Sequence, residues 1–187
     1  MDATELFLKG TRDSEDFYEA MAIARRNSSG RIWLIGGFVF RTIASQLYGV
    51  PMPKVDLDLL IERPAYGFNL PGGWAERKNR FGNPKLIGKN KEIDYVPLGN
   101  VHTLLVRKLG PTIENFLSVV PLTIHDLVFD VYSNEIIGTR GMDAIRRKVV
   151  EVADRDSAEY SAAMKGQTLK DMIKEKADSL GFTPVYP

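Results

Sequence analysis

The sequence predicts an α+β domain, and three observations lead to it. An apolar run, Ile32-Trp33-Leu34-Ile35, stops at Gly36-Gly37, after which Phe38, Val39, Ile43, Ala44 and Leu47 recur at helical spacing, which reads as strand, tight turn, helix. Residues 54 to 62 form a second apolar strand interrupted by Asp56 and Asp58. Two further strand pairs turn back on themselves, at 85–88 with 91–98 and at 122–132 with 135–138.

The elements follow in chain order. Ser14 to Arg26 carries Phe17, Ala20, Met21, Ile23 and Ala24 on one broad face behind an N-cap at Asp13 or Ser14, and Asn27-Ser28-Ser29-Gly30 ends that helix. Tyr48 to Pro53 is a loop before the acidic strand. Residues 63 to 75, with Pro71-Gly72-Gly73, form an irregular excursion in which Tyr66-Gly67-Phe68 offers a flexible rim. The hairpin after it turns at Lys89-Asn90, which is not the favoured Asn-Gly pair. Short helices around Leu104, Leu105, Ile113, Phe116 and Leu117 break at Gly110-Pro111. The strand 122–132 holds Asp126 and Asp130, for which structural or capping roles are expected. Met142 to Arg147 reads as a helical turn, Val149 to Val152 as a strand, and 168 to 180 as an amphipathic helix.

Composition narrows the classes. The 187 residues, 44% apolar and 26% charged, suffice for one sizeable core, and a domain over 1–153 with an appendage over 154–187 is the expected division. A formal net charge of +1 excludes a globally polybasic protein, so any nucleic-acid contact must come from a local patch. Cysteine is absent, which removes disulfides, thiolate metal sites and cysteine nucleophiles. The start, Met1-Asp2-Ala3-Thr4-Glu5, lacks the basic and apolar regions of a signal peptide, and no apolar run approaches membrane-spanning length. A cytoplasmic protein without membrane contact is expected.

The chemistry concentrates in the first two strands. Side chains alternate along a strand, so Asp56 and Asp58 share one face while Leu57, Leu59 and Ile61 take the other. Two carboxylates this close repel unless a cation lies between them, and a hard divalent ion, Mg²⁺ or Mn²⁺, suits all-oxygen ligands. A glycine pair opening a helix lets backbone N–H groups approach a phosphate. Each signal has a plainer counterpart: Gly36-Gly37 as a turn only, and Asp-x-Asp as the solvated side of an edge strand. Against the latter stands the Leu59-Leu60-Ile61 run, which argues for a buried strand in which unpaired acids are costly.

Taken in order, these residues resemble the polymerase β-like nucleotidyltransferase superfamily, and within it the catalytic head domain of CCA-adding enzymes and bacterial poly(A) polymerases. Gly36-Gly37 matches the family's glycine pair and Asp56-Leu57-Asp58 its metal-binding Asp-x-Asp. Leu122-Thr123-Ile124-His125-Asp126-Leu127-Val128-Phe129-Asp130 is similar to its Thr-Ile strand. Asn134 to Gly138 and Gly141 to Ile145 are similar to the segment that follows, and Ala177 to Phe182 to the first neck helix. The likeness runs over residues 31 to 183.

The resemblance implies a nucleotidyltransferase fold, a mixed and mostly antiparallel sheet flanked by helices, ending in a short neck-like C-terminal helix. It implies transfer of NMP from an NTP to a hydroxyl of an RNA, a protein or a small molecule, with release of pyrophosphate. Asp94 then becomes a third carboxylate beside Asp56 and Asp58, with pairing to Lys85 or Lys91 as its alternative. Gly36 and Gly37 are the implied phosphate contacts, and Arg41, one helical turn after them, is a candidate cation for the nucleotide. His125, at the family's asparagine position, is either a nucleotide-orienting group or a core histidine, and His102 carries no such support. Arg77-Lys78-Asn79-Arg80, flanked by Trp74 and Phe81, is either a solvated loop or a substrate contact.

The chain also departs from the pattern. Val39-Phe40-Arg41-Thr42 stands where CCA-adding enzymes carry Val-Arg-Asp, and Val119-Val120-Pro121 precedes the Thr-Ile segment in place of charged residues. The body and tail domains that grip tRNA have no room after residue 187, so a free-standing CCA-adding enzyme is not expected. A catalytically inactive nucleotide-binding or regulatory protein on the same fold is the alternative. The apolar face of helix 168–180, from Leu169 to Leu180, either packs on the core or offers a surface to a protein partner.

Overall fold

The computed structural model describes residues 1–52, 56–65, 67–89 and 91–187. The expected start of the acidic strand at 54–55, Tyr66 of the rim and Asn90 of the hairpin turn lie outside the described residues.

The chain begins with α1 (Ala3–Thr11), for which the sequence reading has no counterpart. It is nucleated by a capping box: Asp2 accepts from the Glu5 N–H, and Glu5 accepts from the Asp2 N–H. Next comes α2 (Glu15–Arg26), and of its two candidate caps Ser14 is the one used, accepting from the Phe17 N–H. Strand β1 (Ile32–Ile35), helix α3 (Gly37–Tyr48) and strand β2 (Leu57–Ile61) follow as expected. After the excursion the basic segment is not a loop but β3 (Ala75–Lys78), an edge strand paired with β4 (Pro84–Gly88), which in turn pairs with β5 (Lys91–Pro97). Helices α4 (His102–Val106) and α5 (Ile113–Ser118) flank the Gly110-Pro111 break.

The expected strand 122–132 shrinks to β6 (Val128–Asp130), preceded by a 3₁₀ turn at Thr123–His125. Asp126 explains the change. Its carboxylate accepts from the N–H groups of Thr139 and Arg140 and pairs with the Arg140 guanidinium at 3.2 Å, which ties this stretch to a helix start rather than to a ladder. Asp126 and Asp130 therefore do not share a strand face. Asp130 instead holds the turn to β7 (Glu135–Ile137), accepting from the Tyr132 and Ser133 N–H groups. The remainder is α6 (Arg140–Arg147), β8 (Val149–Val150), an unanticipated α7 (Arg155–Met164), α8 (Leu169–Asp178) and β9 (Thr183–Pro184).

Seven strands form one sheet in the order β3-β4-β5-β2-β1-β6-β7, and β8 pairs with β9 separately. Within the large sheet every pairing is antiparallel except β2 with β5, which is parallel. Alternation along β2 divides the interior. Leu57, Leu59 and Ile61 enter the main core with Phe7, Phe17, Phe38 and Phe129, whereas Leu60 joins Trp33, Leu98, Leu104 and Ile113 beneath α4 and α5. Asp58 lies on the second face. The apolar side of α8 faces inward, with Met172, Ile173, Ala177 and Leu180 all in the main core, so the surface considered for a protein partner is covered by the chain itself. Among the described residues no helix is long and apolar enough to cross a membrane.

Candidate active site

Strand register assembles the acids. Ile35 of β1 is opposite Asp58 of β2, Asp58 is beside Asp94 of β5, and Asp94 is opposite Lys85 of β4. Residues in register on neighbouring strands project to one face, so these side chains form a row across four strands. Asp56 lies just ahead of β2, its side chain half exposed. The row ends against the glycine turn: a Cβ on Gly36 would stand 2.7 Å from the Asp58 carboxylate, and the Gly36 φ of +74° is a conformation L side chains rarely adopt. The glycine turn and the acidic strand are thus packed too closely to admit a side chain at position 36.

Charge is unevenly satisfied along the row. Burial drives the Asp58 pKa up to about 7, reinforced by the negative charges of Asp94 and Asp56, while Lys85 and Lys176 act in the opposite sense. Lys85 Nζ is 2.6 Å from Glu92, 3.7 Å from Asp56 and 3.8 Å from Asp94, and these acids raise its pKa, the Glu92 hydrogen bond most. Asp94 also accepts from Asn79 Nδ2 at 3.1 Å. Among the described residues no three acidic or histidine side chains are grouped closely enough to hold a metal ion as they stand, and the Lys85 ammonium lies within 4 Å of both Asp56 and Asp94.

Asp58, Ile35 and Phe116 are shared by two cavities that form the lobes of one cleft. The glycine lobe, about 300 Å³, is lined by Gly36, Gly37, Phe40, His125, Lys165 and Lys176. No side chain caps the first turn of α3, which leaves its positive end to the lobe. Burial lowers the Lys176 pKa, and the nearby cations Lys165 and Arg41 lower it further. The His125 pKa falls to about 3 through burial and then through Lys176 and Lys165, so its ring is neutral at neutral pH rather than a cation. The second lobe, about 290 Å³, has Asp94 in its wall.

No protein-family model matches the sequence, and no curated protein matches it. Solved structures do. The chain is similar to a CCA-adding enzyme in complex with ATP, with TM-score 0.60 and 15% identity over 96% of this chain and 41% of that one. It is similar also to the Thermotoga maritima CCA-adding enzyme complexed with tRNA, with TM-score 0.55 and 16% identity over 95% and 46% of the two chains. A third is the Bacillus stearothermophilus CCA-adding enzyme in complex with CTP, with TM-score 0.53 and 19% identity over 92% and 41%. The fold is that of the polymerase β-like nucleotidyltransferases. The chain spans less than half the length of the enzymes it matches.

On this nucleotidyltransferase fold, Gly36, Gly37, Asp58 and His125 converge on one lobe, and Asp94 joins them through Asp58. Arg41 goes elsewhere. It is buried, and its guanidinium donates to the Ser179 hydroxyl at 2.7 Å and the Ser179 carbonyl at 3.3 Å, fastening α3 to the end of α8. Replacing Arg41 by Ala is expected to lower stability by about 1–3 kcal/mol, the scale of buried hydrogen bonds lost with a charged donor, and to leave NTP affinity within about twofold. Urea melts and calorimetric titration read the two effects separately.

The basic cluster contributes less to the cleft than its density suggests. Lys91 is 2.6 Å from both Asp16 and Glu19, and Arg80 donates to the Met164 carbonyl, so both brace the structure. Conversely, Lys165 and Lys176 are cleft cations that sequence reasoning missed. The available signal was weak: Lys176 lies on the polar side of an amphipathic helix, and only the docking of that helix turns it toward Asp58.

Proposed function

We propose that this protein is a metal-dependent nucleotidyltransferase that moves NMP from an NTP to an acceptor hydroxyl and releases pyrophosphate. The observation that carries this reading is the close approach of the Asp58 carboxylate to Gly36 at the start of α3, where no side chain would fit, with Asp94 beside Asp58 in register and Lys165 and Lys176 lining the same lobe. The triphosphate lies along the α3 N-terminus, where backbone N–H groups and the two lysines stabilise the charge that accumulates on departing pyrophosphate. Neutral His125 orients the nucleotide beside Phe40, whose ring centroid is 5.6 Å away. The catalytic unit 1–153 supplies the acids and the glycines, and the appendage 154–187 supplies the two lysines.

The donor set suits a hard divalent ion. Asp56, Asp58 and Asp94 offer only carboxylate oxygens, and a cation bound among them would offset both the burial of Asp58 and the negative charges of its two neighbours, which together raise its pKa. Bound there, Mg²⁺ or Mn²⁺ supplies Lewis-acid polarisation of the α-phosphate and a lower pKa for an attacking hydroxyl. Asp94, in the wall of the second lobe and beside Asp58 in register, is placed to accept the hydroxyl proton.

One observation favours a second reading, an inactive nucleotide-binding protein on the same fold. The Lys85 ammonium already stands between Asp56 and Asp94. The experiment that separates the two is incubation with each α-labelled NTP and Mg²⁺ or Mn²⁺, in the presence of total RNA or a small-molecule extract. Pyrophosphate release with label in an acceptor is expected. NTP binding without transfer in any combination would establish the inactive reading instead.

A further inference from the structure

The lobe on the Asp94 side of the cleft differs in chemistry from the glycine lobe. Its described lining contains no lysine or arginine. It presents four aromatic rings, Phe81, Phe116, Tyr160 and His102, and three amides, Asn79, Asn83 and Asn100. The amides are held in a chain that starts at Asp94. Asn79 donates to Asp94 at 3.1 Å, its carbonyl accepts from the Phe81 and Asn83 N–H groups, and Asn100 donates to the Asn83 carbonyl at 3.1 Å. His102, for which the sequence suggests no role, stacks on Tyr160 with ring centroids 4.3 Å apart and planes at 14°, and both rings line this lobe.

The cations beside the lobe are already engaged. Lys85, 3.8 Å from Asp94, is held at 2.6 Å by Glu92. Arg80 donates to the Met164 carbonyl at 2.8 Å and lies 4.9 Å over the Phe81 ring, and Arg107 makes two hydrogen bonds with Asp154. A phosphate in this lobe would face Asp58 and Asp94 with no lysine or arginine in the lining, whereas a neutral ring would find aromatic faces and fixed amides. The volume, about 290 Å³, is at the lower end of the ~300–1,000 Å³ typical of small-molecule sites. Because the lobes meet at Asp58, a group seated here approaches the α-phosphorus from the side away from Gly36-Gly37.

We infer that this lobe is the acceptor site and that its substrate is an uncharged, ring-bearing hydroxyl compound of about nucleoside size. The inference rests on the nucleotidyltransferase reading above. In the transfer, the acceptor's hydroxyl oxygen bonds to the α-phosphorus as the bond from that phosphorus to the bridging oxygen of the β-phosphate breaks. The electron pair leaves with pyrophosphate, and the hydroxyl proton passes to the Asp94 carboxylate.

The test uses the full chain with Mg²⁺ and saturating α,β-methylene-ATP, which fills the donor lobe without reacting. Saturation-transfer NMR then measures binding of the four ribonucleosides and glucose, of the matching nucleoside 5′-monophosphates, and of a short RNA. At least one uncharged compound should bind, with its phosphorylated form at least tenfold weaker. Phe81→Ala and Asn100→Ala should each weaken that compound tenfold or more while changing affinity for the ATP analogue less than twofold. Tighter binding of a monophosphate or of the RNA would overturn the inference in favour of an anionic acceptor. Equal weakening of the ATP analogue by both variants would overturn it by placing the donor's nucleoside in the lobe. Binding of the analogue with no uncharged compound bound would overturn the acceptor assignment alone, and no binding of the analogue would remove the nucleotidyltransferase reading beneath it.

Discussion

Asp58→Asn is expected to abolish measurable transfer and yet to yield a more heat-stable protein at pH 8 in the absence of divalent ions. The first effect follows from removing a charge at the junction of both lobes; losing one preorganised electrostatic group costs about a hundredfold to a thousandfold in rate. The second follows from the Asp58 pKa. An aspartate ionises near pH 3.8 when unfolded, and Asp58 near 7 when folded, so between those values the native state holds a proton that the unfolded chain has released. Stability therefore falls as pH rises through that window and levels off above it. Asparagine carries no such proton. The melting temperatures of the two proteins should agree near pH 4, diverge in favour of the variant up to about pH 7, and differ by a constant amount beyond. Each kcal/mol recovered corresponds to roughly 2–4 °C for a chain of this size. Calorimetric scans at several pH values in EDTA measure the gap, and Mg²⁺ should narrow it by binding the wild-type native state. A gap that does not vary with pH would show that Asp58 is not the strained group.

The parts of this arrangement legible in the sequence are those written in local punctuation. Gly36-Gly37 ends one period and starts another, so β1 and α3 are visible at once, and the alternation of β2 places Asp58 opposite Leu57 and Leu59 without knowledge of the fold. Elements that depend on tertiary partners are not legible in this way. Edge strand β3 is exposed along its whole length, so Ala75-Glu76-Arg77-Lys78 shows no alternation and exists through its ladder to β4. The stretch from Leu122 to Leu127 has the apolar content of a strand, but Asp126 is captured by the start of α6. Helix α1 is nine residues long, too short for periodicity alone, and its real signal was the Asp2 and Glu5 capping box. The site follows the same division. That Asp58 carries a functional charge is a local inference, whereas the parallel register of Asp58 with Asp94 exists only once β5 is inserted beside β2.

Lys176→Met should weaken NTP binding roughly tenfold to a hundredfold, the equivalent of about 1.5–3 kcal/mol for a hydrogen bond to a charged group, with little loss of stability. The side chain lines the glycine lobe from α8, its ammonium is desolvated, and its pKa lies below the ordinary lysine value. A lysine with a depressed folded pKa is more easily deprotonated in the native state than in the unfolded chain, so its charge opposes folding at neutral pH. Methionine keeps the stem that packs beneath the charge, and the variant should melt at or slightly above the wild-type temperature at pH 7. A weaker NTP affinity then cannot be assigned to a damaged fold. The specific arm of the test is the comparison of ATP with AMP by calorimetry. If Lys176 holds the β- and γ-phosphates, AMP affinity should change less than twofold while ATP affinity collapses. The ATP affinity of the wild type should also decline at alkaline pH as Lys176 loses its proton earlier than an exposed lysine, and that decline should be absent in the variant. Equal weakening of AMP and ATP would instead place Lys176 against the nucleoside or the α-phosphate. The leaving-group side of the cleft would then be built by the α3 N-terminus and Lys165 without it.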